Sequence, residues 1–218
     1  MKQQSILFVI MLLVTATLWS CAKTEGYYDY ENKENIFTGN TIEYFQSKPQ
    51  VYDSLLTVLN KFPALRDSIA TTATTVFAPT NSSFHSAITN LNLVRKTQNK
   101  PLLYIRDLDP VQLDTLISKY ISKDLVTTDS MLFVDGLFIN ARYNQDMHAQ
   151  RIKQESSGFV GGGLVTVYYS DTKGSNFQSQ WTRTTTQAVN IKTSNGVVHI
   201  LNNGHEFGFG EFLTRFNK

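Results

Sequence analysis

Two short stretches, separated by more than a hundred residues, constrain the fold of this chain more than anything else in it. In the first, Thr74-Thr75-Val76-Phe77-Ala78 is a β-branched and aromatic run suited to a strand, and Pro79 stops it. Thr80 or Asn81 can then cap a helix whose apolar side is Phe84, Ala87, Ile88 and Leu91. In the second, Thr193-Ser194-Asn195-Gly196 reads as a turn feeding a strand over residues 197–201, with Asn-Gly placed for a tight reversal. Val198 and Ile200 alternate there with Val197 and His199, so one pair can face a core.

The rest of the chain supplies helices first and strands later. Ile42 and Phe45 suggest a short turn interrupted by Pro49. Val51, Leu55, Val58, Leu59 and Phe62 follow the spacing of an amphipathic helix, which Pro63 ends. Asp109-Pro110 is a helix start, and Leu113, Leu116, Ile117 and Tyr120 continue along one face. Beyond Met131 the pattern turns to strands. Leu132-Phe133-Val134 and Leu137-Phe138-Ile139 flank Asp135-Gly136, a two-residue hairpin signal, and residues 163–169 and 187–191 are further strands. This order predicts an α+β fold, and the lack of strand–helix alternation argues against a doubly wound sheet.

Taken together, TVFAPTNSSF (75–84) and NGVVHIL (195–201) resemble the two signature segments of the fasciclin-like domain, an extracellular adhesion and binding module. The resemblance runs over residues 36–214. It implies a wedge-shaped β-sandwich core with helices packed on one side, in a single domain over 39–218. It also implies that the two segments pack together in one interior. Phe77, Pro79, Thr80, Asn81, Phe84, Asn195, Gly196 and His199 would then define the fold, with Asn81 satisfying helix-start amides and His199 held as a hydrogen-bonded structural residue. In animal members, integrin contact has been tied to a Tyr-His and an Asp-Ile pair. Here the corresponding positions read Tyr120-Ile121 and Asn190-Ile191, so an integrin partner is not carried over.

The N-terminus reads as an export signal. Lys2 precedes thirteen largely apolar residues, 6–18, a run too short to span a bilayer. Leu18-Trp19-Ser20-Cys21 follows and resembles a bacterial lipobox, in which the cysteine is acylated and becomes the first residue of the mature chain. Residues 1–20 are then a lipoprotein signal peptide and 21–38 a lipidated tether rich in Tyr, Glu and Asn. Cys21 is the sole cysteine, so the mature fold holds no internal disulfide. Acyl chains would hold the domain on a membrane, and Ala22 after the cysteine leans towards the outer one, at its periplasmic face or the cell surface.

For a ligand, attention falls on an inserted hairpin region around 150–186, which holds Phe159, Gly161-Gly162-Gly163, Tyr168, Tyr169, Phe177 and Trp181. Trp181, Tyr169, Tyr168 and Phe177 are the candidate contacts to a polysaccharide or protein partner; the alternative is that these rings pack on the sheet. The charge balance, 20 basic against 18 acidic residues, gives no support for nucleic-acid binding. His199 and His205 match no usual zinc spacing, and His85 and His148 read as solvated. There is no Gly-x-Ser-x-Gly and no phosphate-binding loop, so the expectation is a non-catalytic module with no cofactor and no metal. Replacing the acylated position, Cys21→Ser, is expected to give uncleaved or soluble protein; continued partitioning into a detergent phase would place the anchor elsewhere.

Overall fold

Residues 74–78 become strand β1 (Thr74–Ala78), buried at every position. Its neighbour is β7 (Gly196–Leu201), paired in parallel from Thr74↔Gly196 to Ala78↔Ile200. The two distant sequence segments therefore lie side by side. A parallel pair needs a crossover, and here nearly the whole intervening chain serves as one. The computed structural model describes residues 36–153 and 163–218, all within one compact unit, Glu31–Lys218. The readings on the leader, Cys21, residues 22–35, Phe159 and Gly161-Gly162 lie outside the described residues. Ile36 and Phe37 already belong to the domain, since Ile36 bridges Lys192 and the Phe37 amide donates to the Lys192 carbonyl at 2.8 Å.

The remaining strands are β2 (Ile121–Ser122), β3 (Leu137–Asn140), β4 (Asp146–Lys153), β5 (Val165–Asp171) and β6 (Thr182–Lys192). With β1 and β7 they form one mixed seven-stranded sheet in the order β2-β1-β7-β6-β5-β4-β3. A bridge between Ser122 and Ala141, with the Lys123 amide donating to Asn140 at 3.2 Å, brings the two edges together. The sheet is nearly closed, which removes the exposed edges that invite aggregation. Helices α1 (Thr41–Gln46), α2 (Asp53–Asn60), α3 (Pro63–Thr71), α4 (Asn81–Thr97), α5 (Pro110–Ile117) and α6 (Phe212–Phe216) complete an α+β fold.

The motif residues hold this arrangement from inside. The Phe77 ring stacks on Tyr169 at 3.7 Å with an interplanar angle of 5°, and on His199 at 5.0 Å. His199 donates from Nε2 to the Val126 carbonyl at 2.9 Å, fixing its tautomer. Phe84 stacks on Phe207 at 4.3 Å. Thr80 stands at the cap position of α4 without a capping bond; its hydroxyl donates to Asn203 at 3.0 Å.

The two asparagines cap helices other than their own. Asn81, following Pro79, accepts from the Ser54 amide at 2.8 Å and donates to the Gln50 carbonyl at 2.8 Å, so it satisfies the start of α2, whose own Tyr52 offers no cap. Asn195 accepts from the Thr41 amide at 3.1 Å, at the start of α1, and donates to the Ile69 and Thr72 carbonyls at 2.9 and 3.0 Å, at the end of α3. Gly196 is required by space rather than by turn geometry: a Cβ there would lie 2.7 Å from both Thr41 Oγ1 and the Thr74 carbonyl, while its φ is not positive.

Several expectations are corrected. Residues 41–46 form a helix, because Asn40 and Glu43 make a capping box. Pro63 ends one helix and opens another, since a proline at N1 loses no intrahelical bond. The Asp135-Gly136 hairpin does not form. Leu132, Phe133 and Val134 are exposed, and β3 pairs instead with β4, whose eight residues offer a longer ladder. His148 is not solvated but lies buried within β4. Within the region around 150–186, residues 150–153 and 163–186 supply all of β5 and parts of β4 and β6, with Val167 and Tyr169 in the core.

Two stability predictions follow from this interior. Asn195→Ala leaves an amide and two carbonyls of α1 and α3 without partners, and Asn81→Ala uncaps α2; each is expected to cost about 2 kcal/mol in urea unfolding. A loss below a few tenths would show that water replaces these caps. The second concerns pH. Burial pushes His199 down to about 4, against a smaller opposing effect of its bond to Val126, and burial pushes His205 down to about 3. The unfolded chain titrates both near 6.5. Below that pH the unfolded state takes up protons that the folded state refuses. Stability is therefore full above pH 6.5 and falls towards pH 4, by about 2 kcal/mol per histidine at pH 5. The urea midpoint should drop between pH 7 and 5, and His205→Gln should remove part of that drop, the remainder coming from His199 and His148.

Candidate functional site

Strand alternation sorts the aromatic residues of β5 to opposite sides. Tyr169 points inward: it is fully buried, stacked on Phe77, with its hydroxyl donating to the Lys119 carbonyl. Its expected role as a ligand contact is corrected, because no face of the ring reaches solvent. Tyr168, one residue away, points out.

Register then assembles the outward face. Phe138, His148, Ser170 and Arg183 lie opposite one another across β3, β4, β5 and β6, and Gln150, Tyr168 and Thr185 form the next row. Trp181, immediately before β6, comes over this sheet. Its ring centre lies 4.8 Å from that of His148 and 6.4 Å from that of Phe138, and its indole N–H donates to the Ser175 carbonyl at 2.7 Å. The Arg183 guanidinium stands 4.8 Å from the Tyr168 ring centre and donates to Ser170 Oγ and Gln178 Oε1, each at 3.3 Å. Phe177, on the loop between β5 and β6, is 70% exposed.

His148 is the keystone of the patch. Its Nε2 donates to the Asp135 carbonyl at 2.7 Å, and its ring lies 5.2 Å from Phe138. Burial lowers its pKa below the usual histidine value, opposed by the Asp135 bond and assisted by Arg183. Gly136 presses on the same ring, where a Cβ would come within 2.4 Å. Gln150 donates to the Phe133 and Val134 carbonyls at 2.6 and 2.9 Å, so the loop Leu132-Phe133-Val134 is laid beside this face with its apolar side chains exposed.

Of the four ring residues singled out in sequence, the fold brings Trp181 and Tyr168 to one surface, puts Phe177 on the adjoining loop, and takes Tyr169 away. Phe138, His148 and Arg183 complete the patch. Alternation in Leu137-Phe138-Ile139 was the available signal for Phe138; His148 and Arg183 carried none.

A second dense cluster is ionic. Lys119 and Asp171, both buried, pair with each other, and Glu211 accepts from Lys119 at 2.5 Å, Lys173 at 2.6 Å and Arg215 at 2.7 Å. Burial would raise the Glu211 carboxyl, but hydrogen bonds from Lys119, Lys173 and Arg215 outweigh it and hold the pKa at about 2. A glycosidase needs a carboxyl kept protonated near neutral pH, and Glu211 is driven the other way. Among the described residues, no group of three His, Cys, Asp or Glu side chains converges to hold a metal, and no helix is long and apolar enough to cross a membrane.

No protein-family model matches the chain, and no curated protein matches it. Among solved structures it is similar to a FAS1 domain pair from the insect cell adhesion molecule fasciclin I, at 16% identity and a TM-score of 0.46, over 72% of this chain and 44% of the other. The chain spans less than half the length of that structure.

Proposed function

We propose that this protein is a fasciclin-like, non-catalytic binding module, held to a membrane through acylated Cys21, that presents the outward face of β3–β6 to a polysaccharide or protein partner. The observation that carries the reading is the division of labour along β5 and β6. Motif residues fill the interior, while Trp181, Phe138 and Tyr168 gather on the outer side of the sheet.

A polysaccharide is the partner this chemistry favours. Flat rings stack on the apolar faces of pyranoses, and Arg183 and Gln178 stand beside Tyr168 as hydrogen-bonding groups for hydroxyls. Such a surface suits an accessory lipoprotein of an outer-membrane polysaccharide uptake system. The exposed Leu132-Phe133-Val134 loop favours the second reading, a protein partner with an apolar contact.

The Trp181→Ala/Phe138→Ala double variant decides between them in affinity electrophoresis through soluble plant and host polysaccharides. Retardation of the parent chain on at least one polysaccharide is expected, and the variant should lose it by at least about tenfold. Silence of the parent on all of them removes the polysaccharide reading and leaves the protein partner.

A further inference from the structure

We propose that a groove along α4 is a binding site for the single acyl chain of a free, anionic amphiphile, a long-chain fatty acid. The groove, of about 640 Å³, lies between the outer side of α4 and the strap formed by residues 101–106. None of its lining residues belongs to the aromatic face of β3–β6.

The strap is held in place by side chains: Arg95 Nε donates to the Pro101 carbonyl at 2.7 Å and Lys61 Nζ to the Arg106 carbonyl at 2.8 Å. Asn92 donates to the Leu103 carbonyl at 2.8 Å and accepts from the Leu103 amide at 2.9 Å, so residues 101–105 run pinned beside the helix. Phe84 and Ile88 lie along the groove, and Leu93, Leu102 and Tyr104 line it while remaining 64%, 48% and 49% exposed. Leaving three such side chains in water is unfavourable, and covering them is favoured in proportion to the apolar area removed from water. An adjoining hollow of about 380 Å³ shares Ile88, Tyr104 and Ile105 and ends at Arg106. From Phe84 to Lys96 the helix extends about 18 Å, the scale of an extended acyl chain.

Two further observations select the guest. The first is that the side-chain amides are already used. Asn92 is spent on Leu103, and Asn81 on Ser54 and Gln50. For the backbone groups of a peptide the lining then offers, besides Lys96, only the side chains of Ser54, His85, Thr89 and Tyr104, fewer than an extended peptide of that length requires. An acyl chain carries no such groups. The second is charge. The groove is lined by Lys96 and by no carboxylate, while in the adjoining hollow Arg106 already stands 3.6 Å from the Asp107 carboxylate. Lys96 makes no ion pair among the described residues and stands at the last turn of α4, beside Leu93 and Leu102. It is the group placed to meet a carboxylate.

The test uses the purified full chain with cis-parinaric acid, a fluorescent fatty acid, in the absence of vesicles. Saturable emission at one probe per chain is expected, displaced by palmitate. The Leu93→Glu/Leu102→Glu variant should weaken probe binding by at least about tenfold. Lys96→Glu should raise the dissociation constants of the probe and of palmitate several-fold while leaving that of hexadecanol, which has the same chain length and no charge, unchanged. All three positions are exposed, and the thermal midpoint of each variant checks that it folds. The proposal is overturned by an absence of saturable emission, by unchanged binding in the Leu93→Glu/Leu102→Glu variant, or by emission that rises only when anionic vesicles are added. The last result would assign the groove to a membrane surface instead of a free amphiphile.

Discussion

The parallel pairing of β1 with β7 is the contact on which the rest of this structure depends. It joins residues more than a hundred positions apart, so its loop-closure cost is met only if many other contacts form with it. They do, and they radiate from the same two strands. Phe77 on β1 lies against His199 on β7 and Tyr169 on β5, which fixes three strands relative to one another. Thr75 adds a polar clasp. Its hydroxyl donates to the Asp124 carbonyl at 2.7 Å and accepts from the Val126 amide at 2.8 Å, fastening the segment that follows β2.

The asparagines extend that contact to the helical layer. Asn81 and Asn195 lie just outside β1 and β7, and each spends its amide on the ends of neighbouring helices. A helix as short as α1 or α2 is barely stable alone and needs its terminal groups satisfied by something fixed. Here the fixed point is the strand pair. This explains in physical terms why Asn and Gly stand together at 195–196: the amide must reach two helices, and the following residue must clear Thr41 and Thr74.

Much of this was legible in the residues, but unevenly. The strand at 74–78, its stop at Pro79, the cap at Asp109 and the alternation in 197–201 are local signals, and local signals survive into the fold. What failed depended on partners. Asp135-Gly136 has hairpin chemistry, yet β4 outcompeted the short arm that precedes it. His148 reads as solvated until the sheet places Trp181 and Phe138 over it. The candidate patch was legible as aromatics on a strand pair, while the side each would take was not. A period of two makes neighbours such as Tyr168 and Tyr169 equivalent until register is fixed.

Register is fixed here by irregularity. β6 pairs smoothly with β5 at its start but slips twice against β7, between Thr186 and Ala188 and between Ala188 and Ile191. Asn190 sits in the second slip with φ of 56°, its amide N–H directed to His199 Nδ1 and its side chain bonded to Thr128 at 2.6 and 2.9 Å. A bulge held by a side chain on both sides cannot drift, because each one-residue shift would break the Asn190 bonds and turn Thr184 and Thr186 outward. The same lock that puts Tyr169 on Phe77 therefore sends Tyr168 and Arg183 to solvent. The outer patch is thus set by the core: the bulges in β6 choose which ring is hidden, and the neighbouring ring is presented as a consequence.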